Sequence, residues 1–269
     1  MGYVFDFNDA RAYAQWIAQP RHQWAADLEC GLIANLLKPV AGESILDIGC
    51  GVGGGTAALL EMGLNVTGID PSPYMLDRCL ERVGQRVDLY RGHAEDLPFD
   101  DNAFNHALFY ISLEFVEDPR KAIEEACRVA KDRVFFGFVN RFALKGAQRW
   151  RTAFAGMEMF RHARLFTVWE LKNLVRSMAG PVPITWRTVC QLPHAPARVA
   201  QSIETSHLMQ RCPFGSFAGM VATLVPRFRT RPLAMRYRPE KPMRVLPGSA
   251  PVGSAVTNGA TGHRELPGV

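Results

Sequence analysis

Four glycines fall within six residues at Gly49-Cys50-Gly51-Val52-Gly53-Gly54, Asp47 stands two positions ahead of them, and Asp70 closes the next apolar run. Glycines at this density let a backbone turn tightly and approach a ligand that a Cβ would hold away. The spacing fits the G-x-G-x-x-G dinucleotide fingerprint, with Asp70 about 20 residues on, where a ribose-binding acid belongs. Taken alone, these residues support an NAD-dependent oxidoreductase as well as any other reading. Asp47 tilts the choice, because a carboxylate beside a pyrophosphate is electrostatically poor but suits a cofactor that carries positive groups. Plainer roles compete: Asp47 can bond loop amides, Asp70 can cap a helix, and the glycines can serve the turn alone.

A second group of polar residues follows the fourth apolar run, at Tyr110-Ile111-Ser112-Leu113-Glu114-Phe115. In an open α/β sheet ligands bind outside the carboxyl ends of the strands, so this loop is where a substrate would be met. Glu114 can act as a base or anchor a cation, and a structural hydrogen bond to the sheet edge is the favoured alternative. Arg141 opens a basic, aromatic stretch, RFALKGAQRWRTAFAGMEMFRHARLF at 141–166, able to hold a carboxylate or a phosphate among rings. Tyr110, Glu114 and Arg141 are the candidate catalytic residues, none with a declared role.

The elements that must position these residues are legible as alternating patterns. SILDIG at 44–49, NVTGID at 65–70, RVDLYRG at 86–92, FNHALFYI at 104–111 and RVFFGFV at 133–139 are five short apolar runs. The helical stretches TAALLEMG, PSPYMLDRCLERVG and PRKAIEEACRVAK lie among them. Ser72 can cap the second helix, Pro73 suits its first position and Gly84 its end. WAADLECGLIANLLK at 24–38 places Trp24, Leu28, Leu32 and Leu36 at helical spacing before the core, and Pro39 stops it. Thr167 and Glu170 form a capping-box pattern opening VWELKNLVRSMA. PITWRTVCQL and FAGMVATLV complete the set, with one of them expected to run antiparallel at the sheet edge. The expected fold is α/β: a Rossmann-like three-layer sandwich with a mostly parallel, seven-stranded sheet and a basic helical insertion after strand five.

The chain divides on this reading into N-terminal helices forming a lid (1–43), a Rossmann-like core (44–140), the basic insertion (141–166), the rest of the core (167–238) and a Pro/Gly/Ser/Ala-rich tail expected to be disordered (239–269). The 269 residues are 48% hydrophobic and carry a net charge of +5. That mean hides an asymmetry: residues 1–140 hold 12 Lys and Arg against 21 Asp and Glu, and residues 141–238 hold 16 against 3. The basic block can face an acidic substrate, an anionic membrane surface or nucleic acid, or simply be solvated. A small metabolite ranks first, a lipid-like acceptor second, and nucleic acid last, since no RNA-binding signature is present. The six cysteines are scattered, with no metal-ligand spacing, so no metal is expected. No run approaches a membrane span and the N-terminus lacks a signal-peptide pattern, which predicts a cytoplasmic protein with peripheral membrane contact at most, as a monomer or homodimer.

ILDIGCGVGGGT (45–56), VTGIDPSPYML (66–76), GHAEDLPFDDNAFNHAL (92–108) and VEDPRKAIEEACRVAKDRVFFG (116–137) together resemble, in order, the class I S-adenosylmethionine-dependent methyltransferases, in particular the type-11 group related to quinone-biosynthesis methyltransferases. The resemblance covers roughly residues 40–140. It implies S-adenosylmethionine as cofactor, S-adenosylhomocysteine as product, and methyl transfer to a small acidic or lipid-like acceptor. By the same likeness Gly49, Gly51 and Gly53 admit the methionine part and Asp47 lies near its amino group. Asp70 accepts both ribose hydroxyls, with Pro71 after it. Met75 packs on adenine and His93, Ala94 and Glu95 bracket its edge. His93 stands where relatives carry Asp or Asn, and Glu114 where many carry His. Tyr13 and Trp16 resemble a lid, and Tyr110 borders the cofactor. The family has no universal catalytic residue, so a protein that binds S-adenosylmethionine or S-adenosylhomocysteine without catalysis remains an alternative.

Overall fold

The computed structural model describes residues 2–143, 161–190, 206 and 209–224. Seven strands form one sheet in the order β3-β2-β1-β4-β5-β7-β6. These are β1 Ser44–Ile48, β2 Asn65–Asp70, β3 Asp88–Arg91, β4 Phe104–Tyr110, β5 Ala130–Val139, β6 Ile184–Val189 and β7 Phe217–Thr223. β1 to β5 pair in parallel, while β7 runs antiparallel to both β5 and β6. The chain order reverses between β1 and β4, so the carboxyl ends of these two strands open onto a crevice.

Among the described residues the α-helices are α1 Phe7–Ile17, α2 Pro20–Leu37, α3 Gly54–Glu61, α4 Pro73–Val83, α5 Pro119–Val129 and α6 Val168–Ala179. α5 and α6 cover one face, where Ala122, Ile123, Ala126, Val168 and Leu171 meet Leu46, Phe109 and Phe136. α2, α3 and α4 cover the other, where Ile33, Leu37, Leu59, Leu76 and Cys79 meet Ile45, Leu108 and Phe135. Successive residues of β4 thus feed opposite layers, as the two-residue period of a strand requires. The three-layer, mostly parallel sandwich read from the alternation is the one observed.

Caps fall where the side chains favour them. Ser72 Oγ accepts from Met75 N at the head of α4, and Thr167 and Glu170 make a reciprocal capping box on α6. Asp6 and Asp9 make another on α1, which the sequence reading had not marked. α2 closes through Lys38 in a left-handed conformation, and the Arg133 guanidinium donates to Leu37 O at 2.7 Å.

Two expectations need correction. The antiparallel strand, β7, is interior, and the edge strand β6 runs with the majority. Burial explains the swap: FAGMVA is buried throughout β7, which needs cover on both faces, whereas Ile184 to Arg187 of β6 are partly or fully exposed. The helix before β5 ends at Val129, and the strand begins at once at Ala130, which pairs with Phe104 across a register shift. Of the basic insertion, 144–160 lies outside the described residues, as does everything from 225 onward, the tail included. The described end of the insertion carries one short β-bridge, Asn140 to Phe166.

The most heavily bonded buried charge is Arg128 on α5. It donates to Glu125 through Nε and Nη2 at 2.9 Å each, to Asp101 at 3.0 Å, and to the carbonyls of Phe99 and Leu97. Glu125 in turn accepts from Leu97 N at 2.9 Å. Removing one partner of a buried pair strands the other charge, at a cost of about 3–5 kcal/mol. Arg128→Met should therefore lower unfolding stability by about that amount, read from the urea midpoint at constant slope. A loss under about 1 kcal/mol would mean that the two carboxylates are effectively solvated. Gly53 heads α3 with φ +79°, and a Cβ there would lie 2.9 Å from Cys79 Sγ. Gly53→Ala should destabilise by at least the roughly 1–2 kcal/mol of the left-handed conformation, in the same assay.

Candidate functional site

The carboxyl ends of β1, β2 and β4 open into a cavity of about 790 Å³, within the range of small-ligand sites. The glycine turn after β1 forms its floor. Gly49 and Cys50 both donate to Ile69 O; Gly49 takes φ +74°, and a Cβ there would also run into Ser112. Ser112 is itself pinned by a 2.5 Å bond from its Oγ to Ile48 O. Tight packing thus forces the glycine that the turn chemistry allows.

Asp47 is buried at the end of β1. Its Oδ2 accepts from Thr56 Oγ1 at 2.7 Å, whereas Oδ1 is buried without a hydrogen-bond partner. Desolvation raises its pKa to about 7, opposed by the Thr56 bond and reinforced by Asp70. Asp70 ends β2, with Oδ2 accepting from Gly51 N at 3.0 Å and Oδ1 from Ser72 N at 2.9 Å. Desolvation lifts it to about 6 against those two bonds. The carboxylate therefore both ties down the turn and keeps lone pairs for a ligand.

Cavity-lining positions include Asp47, Gly49, Gly51, Asp70, Pro71, Met75, His93, Ala94, Glu95, Tyr110 and Tyr13. Met75 also packs with Val52 and Ala10 beneath Tyr13. Glu95 uses Oε1 to accept from Glu117 N at 2.8 Å, which fixes the loop before α5. Three expected site residues lie elsewhere. Gly53 faces Cys79 behind the turn rather than the cavity. Glu114 is buried, its Oε1 accepting from Val139 N at 2.9 Å, so it fastens β5 to the loop after β4, the structural bond favoured over a catalytic role from the sequence. Arg141 is half exposed and paired with Glu170 at 2.5 Å, at the head of α6. An exposed guanidinium gains more from a carboxylate at a helix start than from an apolar cleft.

The N-terminal segment closes the near side. Tyr3 N donates to Phe115 O at 3.0 Å, and Ser72 Oγ donates to Phe5 O at 2.6 Å, so the strap is bonded to the loops on both sides of the crevice. Tyr13 and Trp16 stack 6.1 Å apart, both lining the cavity. Burial, with Glu29 and Glu114 nearby, pushes the Tyr13 hydroxyl well above its ordinary value.

The sequence reading missed Glu29. This carboxylate projects from α2 into the cavity and accepts a hydrogen bond from the Tyr110 hydroxyl. Desolvation raises its pKa to about 7, against the lowering effect of the Tyr110 bond. The available signal was a carboxylate in an apolar stripe: Ala25 and Ile33 lie one helical turn to either side of it, and both are partly or fully buried. Trp24 from α2, Cys190 after β6 and Phe217 of β7 complete that end of the cavity. Among the described residues no cluster of His, Cys, Asp or Glu could hold a metal ion, and no helix is long and apolar enough to cross a membrane.

Residues 46–138 match the family model described as "Methyltransferase domain". Among curated proteins, a demethylmenaquinone methyltransferase from Clavibacter sepedonicus is 41% identical over 97 residues, 35% of this chain and 40% of that protein. A chloroplastic 2-methyl-6-phytyl-1,4-hydroquinone methyltransferase from Oryza sativa is 30% identical over 118 residues, 43% of this chain and 36% of that one. The matches thus span about two fifths of these relatives' length. Among solved structures, a SAM-dependent methyltransferase from Thermotoga maritima, described as a possible histamine N-methyltransferase, superposes with TM-score 0.60 at 23% identity, covering 79% of this chain and 94% of that one. Residues 46–138 of this chain thus match the methyltransferase-domain model, and the described fold is that of the Thermotoga maritima structure.

Proposed function

We propose that this protein transfers a methyl group from S-adenosylmethionine to a small, mainly apolar acceptor. The observation that carries the reading is the Asp47 carboxylate, buried under a glycine turn with Oδ1 unpartnered. A buried carboxylate oxygen without a donor is costly, and a cationic ligand removes the cost. Pyrophosphate would add to it, which argues against NAD. When bound, the cofactor supplies an electrophilic methyl carbon whose displacement leaves the electron pair on sulfur.

The residues of the cleft divide the binding work. Asp47 would face the positive methionine end, the Asp70 carboxylate would accept the ribose hydroxyls, and His93, Ala94 and Glu95 would meet the adenine edge. Gly49 and Gly51 offer backbone without side chains. Tyr13 and Trp16 form a wall that keeps water from the reacting centre, where positioning supplies much of the acceleration. Trp24 and Phe217 suit an apolar acceptor, and the quinone-type acceptors named for two relatives favour a ring-bearing one. Six cysteines outside any disulfide suit a reducing, cytoplasmic setting.

Calorimetric titration with S-adenosylmethionine, S-adenosylhomocysteine and NAD should give binding of the first two alone; binding of NAD alone would overturn the reading. Asp70→Ala should weaken S-adenosylmethionine binding by about 1.5–3 kcal/mol, the value of a hydrogen bond to a charged group. Asp47 and Asp70 hold their protons up to about pH 7 and 6, so their charged, ligand-ready forms appear as pH rises. Affinity should therefore climb between about pH 5 and 7.5 and level off above. The unliganded protein has the opposite trend from these groups. Their folded pKa values exceed the unfolded ones, so the folded state binds more protons, and their contribution to stability falls as pH rises from about 4 to 7.

A further inference from the structure

Glu29 and Tyr110 form a hydrogen-bonded pair to which the cofactor reading gives no chemical role. Tyr110 lines the cavity. Its ring rests on Gly55, where an added Cβ would come within 2.9 Å of Cδ1, and its hydroxyl reaches Glu29. The Phe217 ring meets it edge-on at 5.9 Å, and Trp24 and Cys190 lie in the same apolar wall. Tyr110 donates to one carboxylate oxygen of Glu29, so the carboxylate retains acceptor capacity toward a ligand in the cavity.

The charge of the cleft narrows the guest. Its described lining carries Asp27, Glu29, Asp47, Glu61, Asp70 and Glu95 against Arg82 as the one arginine or lysine. Glu29 is faced by Tyr13 from α1 and Tyr110 from β4, with Asp27 and Cys30 on its own helix and Glu61 on α3 acting on Cys30. Arg82 of α4 acts on Tyr13. No lysine or arginine therefore pairs with Glu29 among the described residues. An anionic acceptor would place like charges together in a poorly solvated space, which costs several kcal/mol.

We propose that Glu29 and Tyr110 form the acceptor subsite, selecting a ring compound with a neutral hydroxyl or a protonated amine and taking the proton that this group must lose. The proposal rests on the methyltransferase reading of the same cleft and replaces the acidic acceptor with a hydrogen-bond donor. The X–H bond breaks with its electron pair kept by X, the atom to be methylated. The proton comes to rest on the Glu29 carboxylate, directly or through the Tyr110 hydroxyl, which takes one proton as it gives its own to Glu29. Hydroxyl and amine share this chemistry, and single-ring probes separate them.

The test is calorimetric binding of phenol, benzylamine and benzoate to the full chain loaded with S-adenosylhomocysteine. Phenol or benzylamine should bind at least tenfold tighter than benzoate, phenol ahead assigning a hydroxyl acceptor and benzylamine ahead an amine. Glu29→Gln keeps the shape of the side chain and should reduce the preference to under twofold while leaving S-adenosylhomocysteine affinity unchanged. The preferred probe should bind more tightly as pH rises through about 7, where Glu29 loses its proton, and this dependence should vanish in Glu29→Gln. Tyr110→Phe removes the donor that favours the charged carboxylate and should move the midpoint upward. Benzoate binding as tightly as the other two, or a preference that survives Glu29→Gln, would overturn the proposal. Failure of the wild-type protein to bind S-adenosylhomocysteine, with the probe preference intact, would instead sink the methyltransferase reading and leave the subsite standing.

Discussion

The Asp70 carboxylate holds the crevice in shape. One oxygen accepts from Gly51 in the turn after β1, and the other accepts from Ser72 at the head of α4. Ser72 then caps α4 through its hydroxyl oxygen and donates the same hydroxyl to Phe5 of the N-terminal strap. One buried acid therefore fixes the glycine turn, one flanking helix and, at one remove, the strap across the opening. Hydrogen bonds to a charged acceptor are about twice as strong as neutral ones, which suits a residue with this many dependants. The arrangement is also economical, since the same carboxylate keeps lone pairs directed at the cavity.

A second constraint is electrostatic. Glu29, Asp47, Asp70 and Glu114 are held above the ordinary carboxylate range by burial, and of these only Glu114 turns away from the cavity. Its Val139 bond serves the sheet, whereas the other three gather around one apolar space. Nothing in packing alone requires three poorly solvated acids in a single cleft. Such an arrangement is retained where it acts on a ligand, and perturbed acids in a cavity are the usual mark of a functional site. The unliganded protein carries the cost, and a cationic or hydrogen-bond-donating ligand would relieve it.

The loop after β4 shows how one segment divides its duties. Tyr110 turns into the cavity, Ser112 fills the space that Gly49 leaves, and Glu114 reaches back to β5. Ile111 between them takes a left-handed φ of +52°, which lets the chain turn from strand to 3-10 turn within two residues. Strain of this kind is tolerated where the surroundings over-determine the backbone, as they do beside Ser112.

The residues by themselves determined the strand and helix alternation, the caps at Ser72 and Thr167, and the cluster of Asp47, Gly49, Gly51 and Asp70. Each of these rests on local chemistry: a period of two or 3.6, a hydroxyl at a helix start, or a glycine where the turn takes a positive φ. Tertiary structure decided the rest. β7 sits inside β6 because the burial of both its faces depends on which layers lie above and below, not on its own pattern. Arg141 pairs with Glu170, and Glu114 bonds Val139, because partners 25 to 29 residues away offered them better company than the cleft. Glu29 was legible only as an odd residue in an apolar helical stripe, since its partner Tyr110 lies 81 positions along the chain. Spacing along a sequence encodes backbone geometry; which side chains share a cavity is set by packing across the sheet, and that information appears only when the layers close.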